Sequence, residues 1–229
     1  MSVSVALAAY NGEKYIAEQI NSVLPELGED DEIIISDDNP SGKTKQAVLS
    51  LGDPRIRYIE GSGSGVVKNF ENAIKQCTGD YIFLCDQDDV WLPGKVKKVT
   101  EELDSGAFLV LHNAEITDEN LVPSGKTCFD IYGTGKGFIK NFVRNSFVGC
   151  CMAFRRDILD FVLPFPENLP MHDWWIALAA IKREVNISLI DEPLIYWRRH
   201  SGNVTGSPTS LVQKIKFRAL MLSALIRHR

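Results

Sequence analysis

Apolar positions follow two rhythms along the first ninety residues of this chain. Short apolar runs at 3–9 (VSVALAA), 32–36 (EIIIS), 56–60 (IRYIE) and 80–85 (DYIFLC) read as strands. The run at 32–36 is continuous enough to be buried on both faces, as in a parallel sheet. Between the strands the spacing turns helical. Ile16, Ile20, Val23 and Leu24 share one face of a segment from Gly12 to Leu24, a second helix runs through Val48 and Leu51, and a third covers 66–77. Alternation of this kind predicts βαβ units with right-handed crossovers and a largely parallel sheet. Ligands of such sheets sit beyond the carboxyl ends of the strands. Those ends are polar here: Tyr10-Asn11, Asp37-Asp38 and Asp86-Gln87-Asp88-Asp89.

From Ala107 the alternation degrades. The stretches 107–116 and 147–154 read as strands, 172–183 as a helix, and 90–103 as a helix whose first turn would carry Asp88 and Asp89. The last stretch, 211–229, reads as a helix with Leu211, Ile215, Leu222 and Ile226 on one side. No repeat or low-complexity linker interrupts the chain, so a single domain over 1–206 followed by a basic helix at 207–229 is expected.

Composition narrows the class. At 229 residues, 45% apolar and 24% charged, the chain can bury a full core. The net charge of −5 is uneven: 193–229 hold seven Lys or Arg and no acid, leaving 18 basic and 30 acidic side chains in the rest. A basic tail suggests an anionic partner. The acidic body and lack of a recognised module argue against nucleic acid. Five Cys without a CxxC spacing exclude a disulfide scaffold or zinc finger and predict a reducing, cytoplasmic location. The N-terminus has no signal pattern and no window reaches the roughly 18 apolar residues of a membrane span. Contact with the inner face of the cell membrane would therefore be peripheral.

Two nucleotide signatures fail on inspection. GSGSG at 61–65 follows a strand, but Val66 stands where a dinucleotide fingerprint needs a third Gly. SGKT at 41–44 resembles the end of a phosphate loop, but Asp37 occupies the position of its leading Gly. The carboxylates of LCDQDDVW (84–91) carry more information. Packed this closely they raise one another's pKa unless a cation lies among them. An Asp-x-Asp at a strand end suits Mg2+ or Mn2+ beside a diphosphate; its plain alternative is a solvated helix start.

Seven segments then occur in a telling order: ALAAYNGEKYIAEQINSVL, IIISDDNPSGKT, GVVKNFENAI, GDYIFLCDQDDVWLPGKV, GCCMAF, HDWWIALAA and IDEPLIYWRRHSGN. Together they resemble family 2 glycosyltransferases, and more narrowly the bacterial subgroup with Asp-Gln-Asp-Asp-Val-Trp that builds rhamnose- or galactose-containing surface polysaccharides. Each segment alone is weak, but the seven span about residues 3–206.

The resemblance implies a GT-A fold, an α/β nucleotide-diphospho-sugar transferase architecture with a central, mostly parallel sheet. Residues 1–106 would form its nucleotide-sugar-binding half and 107–206 its acceptor-binding half. It implies an inverting, metal-dependent transfer from a UDP- or dTDP-sugar of rhamnose, galactose or glucose type to a free or lipid-linked glycan. Ala8 and Tyr10 would face the nucleobase, Asp38 would accept its imide N–H, and Asp37 would cap the turn. Asp86 would lie near the ribose or metal, Asp88 would be the main Mg2+ or Mn2+ ligand, and Asp89 would orient the loop.

By the same resemblance Asp173 would be the general base, with His172 supporting it and Gly149 beneath the acceptor. Trp174 and Trp175 read either as an acceptor platform or as core. His200 would be a further metal or diphosphate ligand, Arg198 and Arg199 would neutralise the diphosphate, and Lys68 would touch phosphate or sugar. Two departures bear on the base contacts: Ala8 stands where the family often has Ser or Thr, and Asn39-Pro40 replaces a Gly-Ser turn. The alternative reading is a catalytically inert sugar-nucleotide or glycan-binding module. The C-terminal helix reads equally as packing on its own domain, binding anionic lipid, or forming a homodimer.

Overall fold

The computed structural model describes residues 1–203 and 210–228. Its first half is built as the apolar rhythm predicts: β1 (Val3–Ala9), α1 (Ile16–Val23), β2 (Glu32–Asp37), α2 (Thr44–Leu49), β3 (Ile56–Glu60), α3 (Val66–Gln76) and β4 (Tyr81–Asp86). Right-handed βαβ crossovers bring these strands together in parallel, with Ala8 level with Asp86 on one side and Ala9 level with Asp37 on the other. Ile33, Ile34 and Ile35 are completely buried, as a strand covered on both faces requires. Ile16, Ile20 and Val23 turn the apolar face of α1 into that core.

The second half is mixed. It comprises β5 (Val90–Trp91), α4 (Lys95–Asp104), β6 (Leu109–Thr117), β7 (Pro123–Thr127), α5 (Cys128–Tyr132), α6 (Phe138–Val143), β8 (Met152–Arg155), α7 (Leu159–Val162), α8 (His172–Lys182), β9 (Ile187–Arg198) and α9 (Leu211–Arg227). The described strands form one sheet in the order β3-β2-β1-β4-β8-β6-β9-β5, with β7 added to β6. β8 runs antiparallel to both β4 and β6, whereas the long β6–β9 ladder is parallel, so the sheet is mostly parallel in paired length.

Three expectations need correcting. Val90 and Trp91 are not helical: they pair antiparallel with Tyr196 and Ile195 of β9, and the helix starts only at Lys95, after Gly94 in a left-handed conformation. Asp88 and Asp89 therefore lie in a loop between two strands. The strand expected at 147–154 begins with a 3-10 turn over Gly149–Cys151. β9, unexpected as a strand, extends for twelve residues and accommodates bulges opposite His112 to Glu115. Of the expected boundary between domain and tail, 204–209 lie outside the described residues.

α8 is buried on all sides, from His172 through Ala180 without a break, as an all-round apolar helix must be. Trp174 and Trp175 are consequently both core: their indole N–H groups donate to the carbonyls of Asn141 (2.7 Å) and Val162 (3.0 Å). Neither forms an acceptor platform. Replacing Trp175, which is 1% exposed, by Ala is expected to cost about 3–5 kcal/mol, read as a lower midpoint in urea unfolding.

Candidate active site

A cavity of about 450 Å3 opens at the carboxyl ends of β1, β2 and β4. The aligned strand ends deliver Ala8, Asp38 and Asp86 to it, and the loops beyond them deliver Tyr10 and Asp88. From the other half, Gly149 and the start of α8, His172 and Asp173, close the wall. Seven residues expected from the sequence thus converge on one cavity: Ala8, Tyr10, Asp38, Asp86, Asp88, Gly149 and Asp173.

Each is held by identifiable partners. Asp38 accepts the backbone N–H groups of Gly63 (3.1 Å) and Gly65 (2.8 Å), so the GSGSG loop folds over the carboxylate, and Gly65 adopts a positive φ to start α3. Asp37 is turned away. It is buried and takes the Tyr58 hydroxyl (2.8 Å) and the Asn39 N–H (3.0 Å), the turn-capping role expected of it. Gln87, which sequence reasoning passed over, clamps the Tyr10 backbone at both ends. Its Oε1 accepts the Tyr10 N–H (2.9 Å) and its Nε2 donates to the Tyr10 carbonyl (3.0 Å). The Tyr10 ring remains 59% exposed above the cavity.

Asp88 accepts from His200 Nε2 (2.8 Å) and Asn203 Nδ2 (3.1 Å). His200 Nδ1 accepts the Gly202 N–H (3.1 Å), which assigns the ring proton to Nε2. In this arrangement the His200 ring is turned to Asp88 and orients that carboxylate, and it does not line the cavity. Arg198 is likewise not where it was expected. Its guanidinium donates to the carbonyls of Asp88 (2.8 Å) and Glu119 (2.7 Å), pairs with Glu18 and lies over the Tyr15 ring. It is 4% exposed and braces the carboxylate loop from behind, leaving no arm for a diphosphate. Lys68 also stays outside the cavity, paired with Glu71 at 2.6 Å.

The electrostatics are adverse by design of the loop. Burial raises the Asp86 carboxyl well above the carboxylate range, and the charges of Asp89, Asp88 and Asp173 raise it further. Asp89 is buried and pushed up for the same reasons; its Oδ1 accepts the Arg198 N–H (3.1 Å) but its Oδ2 has no partner. A second buried cation, Lys95, donates to the Cys150 carbonyl (3.2 Å) and sits over the Trp91 ring. Ligand atoms of Asp86, Asp89 and Cys150 lie within 4.8 Å of one another. Burial and its neighbours hold the Cys150 thiol neutral, so the donors that fit a cation are carboxylate oxygens, the preference of Mg2+ and Mn2+. A buried, mutually repelling and partly unpartnered carboxylate set at a cavity edge fits such an ion. All five Cys are buried and free.

Asp173 opens the first turn of α8. It accepts the Trp174 N–H and Asn145 Nδ2 (3.3 Å), and burial pushes its carboxyl up to about 7. His172 beside it stacks on Phe70 at 3.9 Å, has no partner on either ring nitrogen, and is driven down to about 3 by burial. It is a neutral packing ring. Gly149 is required here: a Cβ would come within 2.9 Å of His172 Nε2. Asn145 carries no motif that would have flagged it, whereas Gln87 lies inside the Asp-Gln-Asp-Asp motif and Asn203 ends the HSGN segment.

Comparison with known proteins agrees with this geometry. Residues 4–163 match the family model Glycosyl transferase family 2. The chain is 28% identical over 228 residues to the dTDP-rhamnosyl transferase RfbG of Shigella flexneri, covering 92% of this chain and 77% of that protein. It is 27% identical over 194 residues to the UDP-Glc:alpha-D-GlcNAc-diphosphoundecaprenol beta-1,3-glucosyltransferase WfgD of Escherichia coli, covering 82% and 73%. Among solved structures, S. aureus TarS 1-349 in complex with UDP-GlcNAc superposes with a TM-score of 0.76 at 21% identity, over 100% of this chain and 67% of that one. The mannosyltransferase PcManGT from Pyrobaculum calidifontis, in complex with GDP-Man and Mn2+, gives 0.63 at 18%, over 99% and 62%. The fold is the GT-A fold.

Proposed function

Because the chain belongs to glycosyl transferase family 2, we propose that it transfers a sugar from a UDP- or dTDP-sugar to a glycan acceptor during synthesis of a bacterial surface polysaccharide, with inversion at the anomeric carbon. The observation that carries this reading is the convergence of Asp86, Asp88 and Asp173 on one cavity, with Asp173 raised to about 7 by burial. A relative that uses dTDP-rhamnose and one that uses UDP-Glc on a diphosphoundecaprenol-linked sugar support the donor class and a lipid-linked acceptor.

Asp38 and Tyr10 are the groups for the nucleobase: the carboxylate to accept an imide N–H, the exposed ring to stack. Asp86 and Asp88, which both line the cavity, would hold Mg2+ or Mn2+, with Asp89 close behind Asp86 and with Asp88 positioned by His200, Asn203 and the Arg198 brace. Such an ion, when bound, offsets charge developing on the leaving diphosphate. Asp173 takes the proton of the acceptor hydroxyl as its oxygen bonds to the anomeric carbon. The bond from that carbon to the diphosphate oxygen breaks, and its electron pair leaves with the nucleoside diphosphate. One displacement inverts the centre. A base with a pKa near the working pH combines a sizeable deprotonated fraction with enough basicity to accept the proton.

Ligand-observed NMR with Mg2+ tests this reading against UDP-glucose, UDP-galactose, UDP-N-acetylhexosamines, dTDP-rhamnose and GDP-mannose. Binding of one uridine or thymidine donor, lost on adding EDTA, is expected. A folded protein that binds none of them overturns the reading.

A further inference from the structure

α9 carries two apolar stripes, and only one is covered. At about 100° per residue, Met221, Ala224 and Leu225 share the face packed toward α8, where Lys182 Nζ donates to the Leu225 carbonyl at 2.6 Å. On the adjoining side, Leu211, Val212, Ile215, Leu222 and Ile226 fall within an arc of about 100°. All five are exposed, Val212 at 76% and Leu211 at 72%. Lys214 and Arg218 flank this arc on one edge, Lys216 and Arg227 on the other.

A second segment extends the same surface. Arg218 Nε donates to the Val143 carbonyl (3.2 Å), tying α9 to α6, whose Ile139 and Val143 are exposed beside Lys140 and Arg144. Of the twelve large hydrophobic side chains exposed among the described residues, eight lie in 131–143 or on α9. Residues 131–146 and 211–229 hold eight of the 25 Lys and Arg and none of the 30 Asp and Glu. Exposed apolar side chains are thus concentrated where every charged group is positive, on a protein that is otherwise strongly acidic.

We propose that the α6–α9 face binds the surface of an anionic lipid bilayer, with the apolar arc of α9 at the headgroup boundary and the flanking Lys and Arg on lipid phosphates. Charge complementarity selects this occupant. A second copy packed symmetrically through the same stripe would bring like charges together on both edges. Among the described residues no helix is long and apolar enough to cross a membrane, and contact of this kind needs none. The face adjoins the acceptor side of the cavity, since the segment after α6 carries Asn145, the Asp173 partner.

Vesicle flotation of the full chain tests this without donor or acceptor. Phosphatidylcholine vesicles containing phosphatidylglycerol should bind at least about ten-fold more tightly than phosphatidylcholine alone, with the difference shrinking in high salt. The charge-neutral variant Val212→Ser/Ile215→Ser/Ile226→Ser and the stripe-preserving variant Lys214→Gln/Lys216→Gln should each lose most of this binding. Both should keep the wild-type circular dichroism and donor binding, because the altered residues are exposed and none of them lines the cavity. The proposal is overturned if the intact chain floats with neither vesicle, or if the Ser variant floats as well as the parent. A dimer in vesicle-free protein that the Ser variant turns into a monomer would equally overturn it and give the stripe to a second copy.

Discussion

Replacing Asp173 by Asn is expected to slow sugar transfer by about 10²–10⁴-fold, the usual contribution of a positioned base, while leaving donor affinity nearly unchanged. The amide is isosteric and can keep the hydrogen bonds from Trp174 and Asn145, so the loss would report the missing proton acceptor rather than a collapsed α8. The pH profile gives the second arm of the test. Asp173 accepts a proton only when ionised, and burial places its pKa at about 7. kcat/KM of the parent should therefore climb with pH and level off above that value, and the residual rate of the variant should lack this limb. His172 cannot substitute: burial drives its pKa down to about 3, which makes it too weak a base to hold the acceptor proton, and its ring is stacked on Phe70. A variant that retains the parental rate and profile would remove Asp173 from the mechanism.

Asp88→Ala is the second change with a large expected effect. Loss of the carboxylate that His200 and Asn203 hold in place should lower transfer by at least about 10²-fold and raise the Mg2+ needed for donor binding. His200→Ala, which removes the orienting hydrogen bond but leaves the Asp88 carboxylate in place, should cost about 10–100-fold in metal affinity. Stability should move the other way. Asp86 and Asp89 are raised in the folded state partly by the charge of Asp88. The folded protein then binds protons that the unfolded chain has released, so stability falls as pH rises from the ordinary carboxylate range toward about 7, the folded value for Asp89. Removing Asp88 flattens that fall. Thermal melts at pH 8 without metal should show the variant at least as stable as the parent. Activity lost without stability lost separates a ligand from a structural carboxylate.

The legible part of the molecule is the part whose geometry is local. β3 is found at 56–60 because an apolar run between turn residues admits few alternatives, and Asp38, Asp86 and Asp88 reach the cavity because strand ends of a parallel sheet can point nowhere else. β5 was invisible because two residues carry no period: Val90 and Trp91 are a strand only by virtue of β9. Arg198 and Lys68 were assigned by charge near the right place, but direction decides their roles, and both point to acidic side chains outside the cavity. Trp174 and Trp175 read either way by resemblance, but the sequence holds a signal that decides between the two. A helix apolar from Trp174 to Ile181 with no polar face has no side left for a sugar. Asn145 acts through a single amide that no spacing in the sequence marks; Gln87 stands inside the Asp-Gln-Asp-Asp motif, but its neighbouring carboxylates draw the attention there.

The groups that hold the carboxylate loop in shape come from far downstream. Asp89 is met by the Arg198 N–H 109 residues later, Asp88 by His200 after 112 and by Asn203 after 115. The donor site is therefore not a property of the first half of the chain, although nearly every residue that would touch the nucleotide lies there. While the protein is being synthesised, β1 to β4 can assemble on the ribosome, but the loop beyond β4 has no brace until β9 has emerged and paired. On the proposed function, nucleotide recognition and the assembled acceptor side would then mature together, and a half-made chain would not sequester donor. Circular permutation that separated β9 from its neighbours would disturb the donor end first.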